Sequence, residues 1–242
     1  SLQAVDEMIA NLIDTLKAVG QLDSTYIFFS SDNGFHLGNH RLDMGKVAPY
    51  EVDIRVPLVV RGPGVPAGQK LDHLTGNIDY APTWAELAGA KTPDFVDGRS
   101  LVPLLKGNPP PPSPPPLATG EDGRGWRQCY FLQHGNPTKQ TTPADDGEDA
   151  YARPPEMEGL LEPDDGLPQE VAGTNFQRAG GITPYQAIRT RDYVYIEYAT
   201  GERELYDLRS DPHQLQNVAA TANPELLKEL SARLHELSKC SG

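Results

Sequence analysis

The chain has 242 residues, with 34 Asp and Glu against 21 Lys and Arg and a formal net charge of −13. That balance argues against nucleic acid and anionic membrane surfaces as partners, and no apolar run approaches the ~20 residues that a membrane helix needs. The composition is that of a globular protein, and two cysteines do not make a disulfide framework.

Residues 2–19 carry Leu2, Val5, Ile9, Leu12, Ile13, Leu16 and Val19, a helical stripe with one apolar face. Gly20 ends it. Ser1 stands inside this pattern, with no start signal before it. Tyr26 to Phe29 is a short apolar and aromatic run, and its length and composition predict a buried strand in a parallel sheet. The run stops in Ser30-Ser31-Asp32-Asn33-Gly34. In open α/β sheets ligands sit beyond the carboxyl ends of strands, so these residues arrive where chemistry is usually done.

Asp32 and Asn33 offer a carboxylate and an amide carbonyl side by side. Both are hard oxygen donors, suited to Ca²⁺ or Mg²⁺ rather than to zinc. An Asn-Gly turn with a solvated aspartate is the plainer account of the tripeptide alone. His36, His40 and Lys46 follow in a loop with neither helical nor strand periodicity, and such a polar cluster asks for more than a turn.

Tyr50 to Arg55 is read as a short helix behind Lys46. Pro57 to Val60 reads as a second buried strand, closed by Gly62-Pro63-Gly64. Asp79 is expected to cap a helix whose buried side is Trp84, Leu87 and Ala88, with Pro82 in its first turn and Gly89 at its end. Asp72 and His73 are read as surface positions on an edge. Leu101 to Leu105 makes a short apolar closing piece.

Pro109 to Pro116 is nearly all proline and reads as a polyproline II spacer, with a ligand for a partner domain as the alternative. Trp126 to Gln133 looks like a strand containing Cys129. From Asn136 to Ala179 the chain is rich in Pro, Gly, Asp and Glu. It reads as a solvated insertion, and as a long loop it has the reach of a substrate-selecting lid. Gln186–Thr190, Tyr193–Tyr198 and Glu204–Asp207 read as an antiparallel meander, with the Trp126–Gln133 strand alongside. Asn223-Pro224 opens a final helix, whose stripe is Leu226, Leu227, Leu230, Leu234 and Leu237. That helix should lie across the small sheet with His235 facing solvent.

The ordered series Ser31-Asp32-Asn33-Gly34-Phe35-His36, Gly45-Lys46, Tyr50-Glu51, Asp53-Ile54-Arg55-Val56-Pro57-Leu58 and Gly62-Pro63-Gly64 resembles the C-terminal half of a type I sulfatase. That family belongs to the alkaline phosphatase superfamily. The resemblance is greatest to its arylsulfatase and N-acetylglucosamine-6-sulfatase branch. It continues through Asn77-Ile78-Asp79-Tyr80-Ala81-Pro82-Thr83 and Asp97-Gly98-Arg99-Ser100-Leu101, then through Glu204-Leu205-Tyr206-Asp207-Leu208, Asp211-Pro212 and Asn217.

The resemblance implies an incomplete alkaline-phosphatase-like mixed α/β sheet with flanking helices, then a small C-terminal antiparallel sheet packed by a helix. The expected divisions are 1–107 for the catalytic part, 108–183 for the linker and insertion, and 184–242 for the small α+β subdomain. Asp32 and Asn33 would be a pair of ligands to Ca²⁺, with Mg²⁺ as the alternative. Lys46 would be catalytic, binding sulfate oxygens and steadying the leaving oxygen. His36 and His40 would face a sulfated small molecule or glycan. A secreted, periplasmic or lysosomal-type location is implied by the family.

Family catalysis uses a formylglycine made from the cysteine of Cys-x-Pro-x-Arg. Neither Cys129, followed by Tyr130-Phe131, nor Cys240, followed by Ser241-Gly242, has that context. The expectation is therefore a fragment, inactive alone, with the formylglycine in a missing N-terminal half. Pairing of Cys129 with Cys240 stays open. Two other functions remain in view: a phosphodiester or phosphonate ester hydrolase of the same superfamily, and a non-catalytic binding module derived from a sulfatase.

Overall fold

The computed structural model describes residues 2–42, 44–107, 125–135 and 182–239. The proline spacer, the acidic insertion and Cys240 lie outside the described residues, and so does a Cys129–Cys240 bond. By contacts the chain divides into two units, one of Ser1–Gly34 with Arg55–Tyr130 and one of Phe35–Ile54 with Phe131–Lys239.

In the first unit, α1 (Leu2–Ala18) follows the predicted stripe, and Gly20 ends it at φ +67°. No residue of α1 is buried, and Leu2, Met8 and Leu12 lie open. The strands β1 (Ile27–Ser30) and β2 (Leu58–Arg61) form an antiparallel pair in which Ile27 faces Arg61 and Ser30 faces Leu58. Among the described residues β1 thus pairs with an antiparallel neighbour and not with the parallel one expected. The chain leaves β1, returns, and runs back beside it. Only one face of the pair is covered, so Phe29 is 38% and Val59 62% exposed. The sequence run looked continuous because Phe28 on the covered face and Phe29 on the open one are both apolar. Tyr26 lies against Gly62, where a Cβ would meet its ring at 2.1 Å, and its hydroxyl donates to Pro63 O at 2.7 Å.

The helix α2 (Glu51–Ile54) belongs to the second unit, and α3 (Tyr80–Leu87) to the first. Phe28 packs against the Tyr80 and Trp84 rings, at centroid distances of 6.5 and 6.1 Å. The buried side of α3 is Pro82 and Thr83 rather than Trp84, which is 52% exposed. Asp79 does not cap this helix with its side chain. Its carboxylate is fully buried and accepts from the backbone N–H of Gly76 and of Arg99, from Arg127 and from the Tyr130 hydroxyl. Gly98 stands where a Cβ would lie 1.9 Å from Ile78 O, so the Asp97-Gly98-Arg99 loop can close only on a glycine. Leu101 and α4 (Val102–Leu105) pack with Trp126, whose indole N–H donates to Leu74 O at 2.7 Å. His73 is half-buried: its ring meets Trp126 edge-on at 5.9 Å, and both ring nitrogens are buried without a hydrogen-bond partner.

The second unit holds a four-stranded sheet in the order β3 (Cys129–His134), β4 (Tyr185–Thr190), β5 (Tyr193–Tyr198), β6 (Arg203–Asp207). The last three run antiparallel, with Tyr185 opposite Tyr198 and Tyr193 opposite Asp207. Strand alternation sends Tyr185, Ala187, Val194, Ile196 and Tyr206 to one face, where they form a core with Ala48 and Tyr50. The other face carries α5 (Pro224–Leu237), which buries Leu230 and Leu234. The Asn223 side chain accepts from Glu225 N–H at 2.9 Å, the predicted cap. Ser231 and His235 on α5 both reach Glu197 of β5, so His235 is tethered rather than simply solvated.

Candidate active site

At the end of β1, Asp32 Oδ1 accepts from Asn33 N–H at 2.8 Å and from the Ser31 hydroxyl at 3.2 Å. The Asn33 amide nitrogen donates to Gly34 O at 2.8 Å, which leaves the amide oxygen as the end not engaged in that bond. Asn77, at the turn before α3, donates its amide N–H to Asp32 O at 2.8 Å and to Ser31 O at 3.3 Å. The backbone behind the two donors is therefore held from the side.

The donor set is an exposed carboxylate beside an amide oxygen, which suits a hard cation. Among the described residues no three His, Cys, Asp or Glu side chains gather at one point.

The loop of the second unit is built from its own backbone. His36 and Gly45 exchange N–H···O bonds of 2.8 and 3.1 Å, and Phe35 N–H donates to Val52 O. His36, expected to face substrate, is only 3% exposed. Its Nδ1 lies 2.9 and 2.8 Å from the two carboxylate oxygens of Asp53, which is equally buried. Asp53 Oδ2 also accepts Ala48 N–H at 2.8 Å. The ring thus ties the start of the loop to α2. Nothing in the local sequence links these two residues, because the pairing is made only when the loop folds back.

Lys46 lies half-buried between Gly45 and Val47. Val47 has φ +77°, the left-handed region, which a β-branched residue enters at a cost of about 1–3 kcal/mol. The surrounding contacts hold it there, and the Tyr185 hydroxyl donates to Val47 O at 2.9 Å.

His40, also at φ +56°, stacks on the Tyr50 ring at 3.8 Å with an interplanar angle of 11°. Burial lowers the pKa of His40, against the pull of Glu204 and Asp53. Tyr50, Tyr198 and Tyr206 bring their hydroxyls to within 3.1, 3.3 and 3.0 Å of one Glu204 oxygen. Burial pushes all three phenols up, so they are protonated donors to that carboxylate. Tyr50, Tyr198, Arg203, Glu204 and Asn217 line an open groove of about 570 Å³. Glu51 is fixed by Arg189 at 2.9 and 3.0 Å.

Sequence reasoning singled out none of Asp53, Tyr185, Glu204 or Arg189 for a role in this loop. The signal present was the alternation in β4 to β6, which fixes which tyrosines share a face.

Asp53→Asn keeps the shape but offers one acceptor where the His36 ring and Ala48 N–H each need one. It should cost about 1–3 kcal/mol, the penalty for a buried donor left unpaired. Amide hydrogen exchange reads it directly: the Ala48 amide should lose protection, and unchanged protection would refute the anchoring role.

Comparison with known proteins adds three findings. Residues 1–90 match the Sulfatase family model. Over its whole length the chain is 34% identical to N-acetylglucosamine-6-sulfatase of Bos taurus, of which it covers 40%. Over 43% of its length it is 45% identical to the extracellular sulfatase SULF-1 homolog of Drosophila melanogaster, covering 9% of that protein. Thus the chain spans about 40% of the length of the N-acetylglucosamine-6-sulfatases it matches. Among solved structures, one holds its substrate D-glucosamine-2-N,6-O-disulfate. It aligns with a TM-score of 0.69 and 26% identity, over 99% of this chain and 39% of that one. The phosphonate monoester hydrolase of Agrobacterium radiobacter aligns with a TM-score of 0.64 and 27% identity, over 97% and 39%.

Proposed function

We propose that this chain, which belongs to the sulfatase family, carries part of the machinery that hydrolyses the sulfate ester of a carbohydrate or aryl alcohol. The observation that carries this reading is the Asp32–Asn33 tip of β1, two hard oxygen donors with their backbone pinned by Asn77. Asp32 and Asn33 would hold Ca²⁺, or Mg²⁺ in its place. A bound divalent cation supplies positive charge to the sulfate oxygens and lowers the cost of an ionised nucleophile. A formylglycine would supply that nucleophile in the whole protein, and neither cysteine of this chain stands in the motif that makes one.

Lys46 has the remaining task. A sulfate ester sheds an alkoxide, and an ammonium group presented by a fixed backbone stabilises that developing charge without reorganising. His36 takes a positioning role through Asp53. His40, stacked on Tyr50, is assigned to the substrate side. A sulfated glycan is the favoured substrate class, since the whole of this chain matches 40% of an N-acetylglucosamine-6-sulfatase and a solved relative holds a glucosamine disulfate. We assign the whole protein to a secreted, periplasmic or lysosomal compartment, on the strength of its extracellular relative. No helix among the described residues is long and apolar enough to cross a membrane.

The phosphonate monoester hydrolase among the solved relatives supports a second reading, hydrolysis of a phosphonate or phosphate diester. Turnover of 4-nitrophenyl sulfate and of 4-nitrophenyl phenylphosphonate by the whole protein separates the two. We expect kcat/KM to favour the sulfate by at least about a hundredfold, near 2.7 kcal/mol in transition-state binding. A preference for the phosphonate would replace the first reading by the second.

A further inference from the structure

The backbone on both sides of Lys46 is fastened at three separate points. Gly45 is paired in both directions with His36. Ala48 N–H is taken by Asp53. Between them, the Val47 carbonyl receives the hydroxyl of Tyr185, which comes from β4, a strand far along the chain. Val47 is also the residue in the left-handed region, so its peptide would turn away if its carbonyl were released.

We propose that Tyr185 is a positioning residue for Lys46, so that the small C-terminal sheet takes part in catalysis by fixing the lysine's backbone. The inference rests on the assignment of Lys46 given above and goes beyond it. Tyr185 is 4% exposed, and its ring packs against Tyr198 and His134 at 6.2 and 5.9 Å. Burial pushes its phenol up, so it donates at any working pH. Replacing it by phenylalanine keeps the ring and its contacts and removes only the bond to Val47.

The test is a double-mutant cycle in the whole protein, with 4-nitrophenyl sulfate as substrate and melting temperature as the check on folding. Lys46→Ala should lower kcat/KM by about a hundredfold or more. Tyr185→Phe should lower kcat by about tenfold with KM within twofold, since a displaced catalytic group loses rate rather than binding. Tyr193→Phe, on the neighbouring strand, should leave both constants unchanged. The decisive result is the double variant: acting through Lys46, Tyr185→Phe adds no further loss once the lysine is gone.

Losses that multiply, or wild-type turnover by Tyr185→Phe, overturn the proposal. A Lys46→Ala enzyme within threefold of wild type would instead remove Lys46 from the reaction, and this inference with it. If Tyr185→Phe does not fold alone, it is made together with Val47→Gly, since glycine takes φ +77° without strain. Relative to Val47→Gly, the drop in kcat should then shrink to within about twofold, and an undiminished drop of about tenfold would overturn the positioning role.

Discussion

Asp79→Asn is expected to cost about 3–5 kcal/mol of stability, the range for breaking a buried charge pair from one side. The carboxylate is fully enclosed and accepts two backbone N–H groups at 2.9 and 2.8 Å, two Arg127 N–H groups at 2.7 and 2.8 Å, and the Tyr130 hydroxyl at 2.8 Å. Asparagine would leave the Arg127 guanidinium, itself 11% exposed, without a counter-charge, and would turn one acceptor into a donor. Burial alone would raise the pKa of this carboxyl, but hydrogen bonds from Arg127 and from Arg99 N–H outweigh it and hold the group below its usual value. A depressed folded-state pKa contributes stability that is complete above the unfolded value, near 4, and is lost as pH falls through the folded one. Urea unfolding followed by tryptophan fluorescence reads this unit, which holds both Trp84 and Trp126. Below about pH 4 the wild type should weaken, and Asp79→Asn should show a flatter decline. A loss under about 1 kcal/mol at pH 7, or an unchanged acid slope, would count against a paired, charged Asp79.

Asp32→Asn should weaken Ca²⁺ binding by the whole protein by about a hundredfold or more, the upper range seen even for groups one layer behind a ligand. The substitution keeps an acceptor for Asn33 N–H, so the turn survives while the full negative charge goes. Asn33→Ala should cost less, because an amide oxygen offers a dipole and not a charge. Asp32 is exposed, so stability without calcium should stay within about 0.5 kcal/mol of wild type. Calorimetric titration with calcium measures the first effect and urea unfolding in a chelator the second. Equal calcium affinity in the variant would take Asp32 out of any metal site.

Local signals carry much of the secondary structure. The stripe from Leu2 to Val19, the Asn223-Pro224 helix start, the alternation in β4, β5 and β6 and the glycine stops at Gly20 and Gly89 each depend on a few neighbouring residues. So does the place of Asp32 and Asn33 just beyond β1. Legibility failed where a residue's partner is distant. Asp79 looks like a helix cap because helix caps and buried ion-pair centres use the same side chain, and only Arg127 decides between them. His36 reads as a substrate-facing residue, but Asp53 takes its Nδ1 and the ring is buried. The expected buried side of Trp84, Leu87 and Ala88 differs from the observed one, where Pro82 and Thr83 occupy the covered side of α3. At Tyr26 two adjacent phenylalanines give a continuous apolar run although Phe29 is the more exposed of the two.

Ala48 and Tyr50 sit in one apolar cluster with Tyr185, Ala187, Val194, Ile196 and Tyr206, so two stretches distant in the chain share a single interior. Such an interior cannot be divided. Shortening the chain ahead of residue 184 would not trim an accessory module. It would strip the lining from beneath the lysine-bearing loop, and any excision, domain exchange or chimera that treats the last sixty or so residues as optional would dismantle that loop in the same stroke.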